Sequence, residues 1–316
     1  MAVFDLDPFL RAVERFVDDL GSVGWGFLAA ALLLSLGLQL CRAHAWSNSL
    51  RAAYPGAPFR EREVTAAFLI GAGLNGVLPA KGGDAIKIVL AKRNVPGSSY
   101  PAIISSFAVL APFDSAAGIL VLLYAITQGL LPRLPQIPDL PAFEISFWAS
   151  HPEFFFLTLT VLGIGAIGLF VILARRIEGF WARLRQGVAI LREPRRYARE
   201  VLAWQAAGWL LRFASFWLFL DAFHIGGSAE TVLLVMSVQA IAGALPFTPG
   251  GVGAQQALLV ATLSGPSRSA VLAYSVGQQA AVTVWSLALA VASLMFVFRT
   301  RDWRGLLREG RAARAG

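Results

Sequence analysis

Five ionisable side chains interrupt apolar stretches of this sequence: Lys81, Asp84, Lys87, Asp114 and Arg212. A charge at the centre of a membrane helix costs about 2.5–3.5 kcal/mol, so such residues are candidates for a functional site. Gly82 and Gly83 separate Lys81 from Asp84 and permit a close turn with exposed N–H groups. A helix beginning near Asp84 would aim its positive N-terminus into this turn. The turn therefore suits a phosphate or a carboxylate.

Structural roles are open for the same residues. Asp84 can cap the N-terminus of the following helix, and Lys87 lies at i+3 from it, which permits a local ion pair. Asp114 follows Ala-Pro-Phe inside an apolar segment and needs a partner there. It can pair with Arg212 or Lys81 for structure alone, bind a substrate headgroup, or couple a proton.

The composition indicates a membrane protein. The 316 residues are 57% hydrophobic and 15% charged, whereas soluble domains are about 25% charged. The net charge of +8 fits basic loops beside anionic lipid better than nucleic-acid binding. One cysteine, Cys41, and three scattered histidines leave no disulfide and no metal motif, so we predict neither a metal nor a cofactor.

Five apolar runs are long enough to cross a membrane, which takes about 20 residues. The predicted full spans are 25–43, 101–126, 153–174, 201–222 and 270–298. Trp25 and Trp46 should bracket the first span at the two interfaces. Two further apolar regions, 64–91 and 230–264, are interrupted by proline and glycine. The segment 175–200 carries an apolar stripe opposite arginines, which predicts a cytoplasmic elbow helix on anionic headgroups.

The lysine and arginine content of the loops alternates along the chain. Residues 1–24 hold two arginines, 175–200 hold eight and 299–316 hold six. The positive-inside rule then puts the N-terminus outside and the C-terminus in the cytoplasm. Each interrupted region must cross an even number of times. We predict two re-entrant hairpins entering from opposite faces, with two thin, tilted spans apiece as the alternative.

The two interruptions resemble each other. The first reads Gly-Val-Leu-Pro-Ala-Lys-Gly-Gly over 76–83, and the second reads Gly-Ala-Leu-Pro-Phe-Thr-Pro-Gly-Gly over 243–251. With their flanking spans they predict an inverted-topology repeat, as in secondary transporters, although a chance match of Pro-Gly breaks is the alternative. The fold class is thus an all-α polytopic membrane protein with about five spans and two re-entrant helical hairpins. The predicted divisions are an amphipathic interfacial helix, a first repeat, a connecting span with the elbow, a second repeat and a basic tail: 1–24, 25–130, 131–200, 201–298 and 299–316.

The second interruption carries no charge. Its neutral hydrogen-bonding groups and its glycine backbone can line a site, as can two glutamines of the last span. These residues are Thr248, Pro249, Gly250, Gly251, Gly253, Gln255, Gln256, Gln278 and Gln279.

Two motifs resemble the flippase-like family typified by the transmembrane region of lysylphosphatidylglycerol synthetases. They are Asn-Gly-Val-Leu-Pro-Ala-Lys-Gly-Gly-Asp over 75–84 and Leu-Pro-Phe-Thr-Pro-Gly-Gly-Val-Gly over 245–253. The resemblance covers roughly 20–298 and implies a bacterial or archaeal inner-membrane protein that moves lipids or lipid-linked headgroups. It implies these site positions: Asn75, Pro79, Lys81, Gly83, Asp84, Pro249, Gly250, Gly251 and Gly253.

The sequence departs from the family pattern at three places. Leu110 and Ala111 stand where the family often has Glu-Arg, Gln256 where it often has Glu, and Gly277-Gln278 where it often has Arg. These differences remove charge and favour a less anionic or differently shaped headgroup. Only 18 residues follow the last predicted span, so we expect no aminoacyltransferase domain and no lipid aminoacylation.

The resulting functional prediction is a flippase or transporter of the cytoplasmic membrane. Its headgroup would bind between the two hairpin tips near the midplane, while the lipid tail stays in the bilayer. Its partners would be membrane lipids, with anionic and polyprenyl-linked lipids both compatible, and not nucleic acid; the oligomeric state is open. The alternatives are a membrane-embedded enzyme, disfavoured by the lack of a DDxxD motif, and a non-transporting partner of an envelope glycosyltransferase.

Overall fold

A computed structural model of the chain describes residues 21–78, 82–127, 178–244, 253–263 and 265–298. Within these ranges the chain is helical and forms no strand, which confirms the predicted all-α membrane architecture. Eleven α-helices lie there: α1 Trp25–Ala53, α2 Glu61–Asn75, α3 Gly82–Asn94, α4 Tyr100–Ala108, α5 Ala111–Thr127, α6 Glu178–Gly187, α7 Pro194–Tyr197, α8 Ala203–Ala222, α9 Ala229–Ala244, α10 Ala254–Thr262 and α11 Arg268–Ser293.

Among the described residues, three helical stretches are long and apolar enough to cross a membrane: Trp25–Ala53, Tyr100–Val121 and Arg268–Phe298. The predicted span at 201–222 is present as the 20-residue α8 but is not among these three. Several predicted features lie outside the described residues: the helix over 1–20, the span at 153–174, the tail at 299–316, and Pro79, Lys81, Thr248, Pro249, Gly250 and Gly251.

Helix α1 extends ten residues beyond the predicted end of the first span. No proline or glycine occurs between 38 and 54, so nothing in the sequence stops the helix there. Trp46 consequently lies inside the helix and is fully buried, and its Nε1 donates to Ser106 Oγ at 3.1 Å. Its predicted interface position is wrong, whereas Trp25 is 71% exposed.

Helices α1 and α8 pack antiparallel along their lengths. At one end Gly24 N–H donates to the Ala222 carbonyl at 2.8 Å, and further along Ser215 Oγ donates to the Ala31 carbonyl at 2.8 Å. Toward the other end, a Cβ at Gly208 would lie 3.5 Å from Cys41 Cβ. Small residues at this contact let the two backbones approach, as is usual between membrane helices.

The first hairpin is closed by glycine. A Cβ on Gly71 of α2 would lie 2.7 Å from Lys87 Cβ of α3 and 2.9 Å from the Gly83 carbonyl oxygen. Both positions therefore have to be small. The limbs have 15 and 13 residues, about 22 and 20 Å at 1.5 Å per residue, against about 30 Å of hydrocarbon.

The predicted span at 101–126 is divided into α4 and α5. Pro112 near the start of α5 lacks an N–H and its ring opposes the carbonyl one turn earlier, which interrupts the helix at Val109 and Leu110. Tyr197 Oη donates to the Val109 carbonyl at 3.2 Å, and Gln205 Nε2 donates to the Leu110 carbonyl at 3.3 Å. Burial raises the pKa of Tyr197, so this phenol stays protonated and remains a donor.

The second hairpin contains α9 and α10, with 245–252 outside the described residues. Helix α9 packs against α5, where Ser237 Oγ donates to the Val121 carbonyl at 3.0 Å. Helix α10 packs against α9 and against α11. The second hairpin is therefore held between the last helices of the two predicted repeats.

One face of the elbow packs against α1 and α4, and its opposite face exposes arginine. A Cβ on Gly187 would meet Ser105 Oγ of α4 and lie 2.9 Å from Ser106 N, so α6 approaches α4 closely. Ile190 is fully buried in the core formed with α1 and α4. Arg199 is exposed on the outer side. If the elbow docks on lipid headgroups as predicted, it can do so only through the exposed face that carries Arg199, which points away from the protein core.

The contact between α2 and α11 depends on Gly73. A Cβ there would meet the Ser286 carbonyl oxygen and lie 2.7 Å from Ala290 Cβ. We expect Gly73→Ala to lower the free energy of unfolding by about 1–3 kcal/mol, the usual cost of overpacking. The thermal unfolding midpoint of the purified protein in detergent measures this effect.

Gly26→Ala in α1 is the matched control. A Cβ at Gly26 has no atom within 4 Å, and alanine favours a helix over glycine. Its midpoint should stay unchanged or rise. Equal losses in the two variants would contradict a backbone contact at Gly73.

Candidate functional site

Asp84 joins the two limbs of the first hairpin. It is the third residue of α3, and its Oδ1 accepts from Asn75 Nδ2 of α2 at 3.0 Å and from Lys87 Nζ at 2.9 Å. The side chain of Asp84 is about one third exposed. The ion pair allowed by the i, i+3 spacing is therefore present, and Asn75 links the same carboxylate to α2.

Lys87 is enclosed by aromatic rings. Its side chain is 4% exposed, and Nζ lies 3.6 Å from the ring centroid of Phe107, 4.8 Å from Phe68 and 5.8 Å from Trp46. Ring faces attract a cation, and Asp84 supplies the balancing charge. Lys87 was a predicted substrate ligand; the structure places it behind Asp84, where it ties α3 to α1 and α4.

A second charged group lies among α1, α5 and α8. Arg42 binds Asp114 through two hydrogen bonds, Nη1 to Oδ1 at 3.2 Å and Nη2 to Oδ2 at 2.7 Å. Trp209 Nε1 also donates to Asp114 Oδ1 at 3.1 Å. A bidentate arginine–carboxylate pair fixes both planes and is stronger than a single contact. Of the partners considered for Asp114, Arg212 forms no ion pair with it among the described residues, and Lys81 lies outside them.

Arg212 lies beside this pair at the middle of α8. Its guanidinium carbon is 5.1 Å from the ring centroid of Trp209 and 5.8 Å from that of Phe216. With Arg42 and Asp114 it borders a cavity of about 310 Å³, hereafter the arginine cavity. The lining residues are Arg42, Asp114, Gly118, Val121, Trp209, Arg212, Met236, Gln239 and Ala240.

Amide side chains mark the second hairpin. Gln256 Oε1 accepts from Gly253 N at 2.6 Å, and Gln256 Nε2 donates to Gln279 Oε1 at 3.0 Å. The positive φ of Gly253, 87°, is a conformation that favours glycine. These residues border a second cavity of about 460 Å³ between α10 and α11, lined by Gly253, Gln256, Val276, Gln279, Ala280, Thr283 and Val284.

Helix α11 brings the two hairpins near each other. Thr283 lines the second cavity, and a Cβ on Gly76, directly after α2, would lie 3.2 Å from Thr283 Cγ2. Gln278, one residue before Gln279, is buried, and its Oε1 has no hydrogen-bond partner among the described residues. Gly76 after α2 and Gly253 before α10 thus border the same polar stretch of α11.

A sequence model of the lysylphosphatidylglycerol synthase TM region matches residues 1–285. The chain belongs to this family. Neither a curated protein nor a solved structure matches it. Membership supports a membrane protein in lipid or cell-envelope processes.

The predicted site residues of this family member separate into distinct groups. Asn75, Gly83, Asp84 and Lys87 meet at the end of the first hairpin, with Gly82 adjacent in the chain. Asp114 and Arg212 line the arginine cavity. Gly253 and Gln256 line the second cavity. Gln255 is buried in α10.

Sequence reasoning missed Arg42, Trp209 and Gln239. Arg42 stands at the predicted end of the first span, where an arginine ordinarily faces headgroups. The uninterrupted helix up to Ala53 was the signal that it lies inside a longer helix. Arg42 reaches Asp114 from another helix.

A double-mutant cycle tests the pair between Arg42 and Asp114. Each side chain is about one quarter exposed, so losing one partner should cost about 2 kcal/mol, below the 3–5 kcal/mol of fully buried pairs. We expect Asp114→Asn and Arg42→Gln to destabilise singly, and the double variant to lose less than the sum. Denaturant titration in mixed micelles measures these free energies. Arg268→Gln, which removes an exposed charge, is the control, and strictly additive losses would contradict the coupling.

Proposed function

We propose that the protein moves the polar headgroup of a lipid or lipid-linked molecule between the leaflets of the cytoplasmic membrane. Membership of the family supports a role in lipid or cell-envelope processes, and we infer that this role is lipid transport. No described residue forms part of a cluster of three or more His, Cys, Asp or Glu side chains that could hold a metal ion. The proposed activity needs only binding and a change of access.

The arginine cavity is the observation that carries this proposal. It places two guanidinium groups, a carboxylate and the Gln239 amide among helices rich in apolar residues. Such groups are costly in lipid and are retained where a polar substrate or ion passes. A headgroup crossing the bilayer needs polar contacts of this kind, because unsatisfied polar groups in hydrocarbon cost several kcal/mol.

The helix packing supports an inverted repeat. The first helices of the two proposed units, α1 and α8, form an antiparallel pair. The first limb of each hairpin packs on the last helix of the other unit: α2 on α11, and α9 on α5. Corresponding contacts exchanged between two units are expected when the units are related by a pseudo-two-fold axis.

Alternating access follows from this arrangement. One unit would rock against the other and open the polar region to each side in turn, while the lipid tail stays in the bilayer. The loop charges favour an external N-terminus and a cytoplasmic C-terminus in the inner membrane. Membrane lipids are the proposed partners, and an envelope glycosyltransferase is a further one.

Reconstitution tests the proposal. Purified wild-type protein in liposomes should accelerate the exchange of fluorescently labelled lipids between leaflets, measured by chemical quenching of the outer leaflet. Asp114→Asn and Arg212→Gln, which alter the arginine cavity, should reduce this exchange at least tenfold. Arg268→Gln removes an exposed charge at the start of α11 and should retain wild-type exchange.

Two outcomes would overturn this function. One is exchange equal to that of empty liposomes for wild type across anionic, zwitterionic and polyprenyl-linked lipids. The other is formation of a chemically altered lipid by the purified protein, which would indicate an enzyme. Equal loss of exchange in Arg268→Gln and the cavity variants would remove the role assigned to the cavity.

A further inference from the structure

The charges around the arginine cavity do not cancel. Arg42 is matched by Asp114 in a bidentate pair, whose distances of 3.2 and 2.7 Å commit both groups to each other. Arg212 contacts the rings of Trp209 and Phe216, and no carboxylate of the described chain lies within ion-pair distance of it. The lining residues described therefore carry one net positive charge.

The surroundings of Arg212 leave its donors available. Ring faces offset part of the cost of a buried cation, but they accept few of the five N–H groups of a guanidinium. No hydrogen bond from Arg212 occurs within the part of the chain that the structure describes. Because Trp209 contacts both Arg212 and Asp114, its ring holds the free guanidinium next to the paired one.

We propose that Arg212 binds the phosphate of a singly charged anionic lipid headgroup in the arginine cavity, an assignment that rests on the proposed function. The planar fork of a guanidinium matches two oxygens of a phosphate. A carboxylate in the same low-dielectric place can take up a proton and lose its charge, whereas a phosphodiester stays ionised. A phosphodiester, which keeps its negative charge, therefore matches the permanent positive charge of the Arg212 guanidinium.

The size and lining of the cavity limit what accompanies the phosphate. A volume of about 310 Å³ is at the small end of ligand pockets, which span roughly 300–1,000 Å³. The Gln239 amide can hydrogen-bond one hydroxyl or ester, and Val121, Met236 and Ala240 are apolar. A small uncharged substituent fits, whereas a diphosphate would exceed the one spare charge and a cationic headgroup would be repelled.

Binding can be measured without transport. We would add short-chain dihexanoyl phosphatidylglycerol to purified protein in a neutral detergent and follow the thermal unfolding midpoint. The wild-type midpoint should rise with lipid concentration, and Arg212→Gln should weaken the apparent affinity at least tenfold. Arg212→Lys keeps the charge without the fork and should bind with intermediate affinity. Arg268→Gln, at an exposed position, should bind as wild type.

Three further probes define the ligand. Dihexanoyl phosphatidylcholine tests the need for net negative charge, dihexanoylglycerol tests the need for phosphate, and inorganic phosphate tests a free anion as the ligand. Weaker shifts with all three support a lipid phosphate. A shift with inorganic phosphate that equals that of the lipid would overturn the lipid assignment, and equal shifts in wild type and Arg212→Gln would overturn the site.

The failure of this assignment is distinguishable from the failure of the transport function. Arg212-dependent lipid binding without leaflet exchange would retain the site and remove the transporter. Leaflet exchange with no Arg212-dependent binding would retain the transporter and remove the site. An Arg212→Gln variant whose midpoint before ligand addition is at least that of wild type excludes misfolding as the cause of lost binding.

Discussion

The ion pair between Arg42 and Asp114 holds three helices at one point in the apolar part of the protein. It joins α1 to α5, and the Trp209 indole brings α8 to the same carboxylate. Breaking a largely buried ion pair by removing one partner is costly, so the positions of these helices are constrained together. The free guanidinium of Arg212 and the cavity beside it follow from that constraint, since Trp209 contacts both groups.

Close backbone contacts form the second level of organisation. Gly71 and Gly83 bring the limbs of the first hairpin together, which puts Asn75 within reach of Asp84. Gly73 then sets the hairpin against α11, and Gly208 sets α8 against α1. In lipid there is little hydrophobic gain from joining helices, so dispersion contacts and hydrogen bonds between close backbones must hold them.

Much of this arrangement was accessible from the sequence. Hydropathy predicted the helices, the Pro-Gly interruptions predicted the two hairpins, and the spacing of Asp84 and Lys87 allowed their ion pair. The partner of Asp114 was not accessible, because 72 residues separate it from Arg42 and no local pattern relates them. The prediction that Trp46 lies at the membrane interface was wrong, because it rested only on the frequency of tryptophan at interfaces. The Ser106 acceptor and the neighbouring Phe107 ring come from distant parts of the sequence and become visible only in the folded structure. The break between α4 and α5 was not predicted, nor were the hydrogen bonds that Tyr197 and Gln205 donate to the Val109 and Leu110 carbonyls beside it.

The hydrogen bond from Tyr197 connects the elbow to the interior. Val109 and Leu110 end one helical segment, and Asp114 N–H bonds to the Leu110 carbonyl at the start of the next. Tyr197 thus touches the chain five residues before the carboxylate that holds Arg42. Proteolytic trimming or chemical modification of the elbow would release the Val109 carbonyl, two residues before the helix that carries Asp114. A change in the elbow can therefore alter the segment that leads into the ion pair of Arg42 and Asp114.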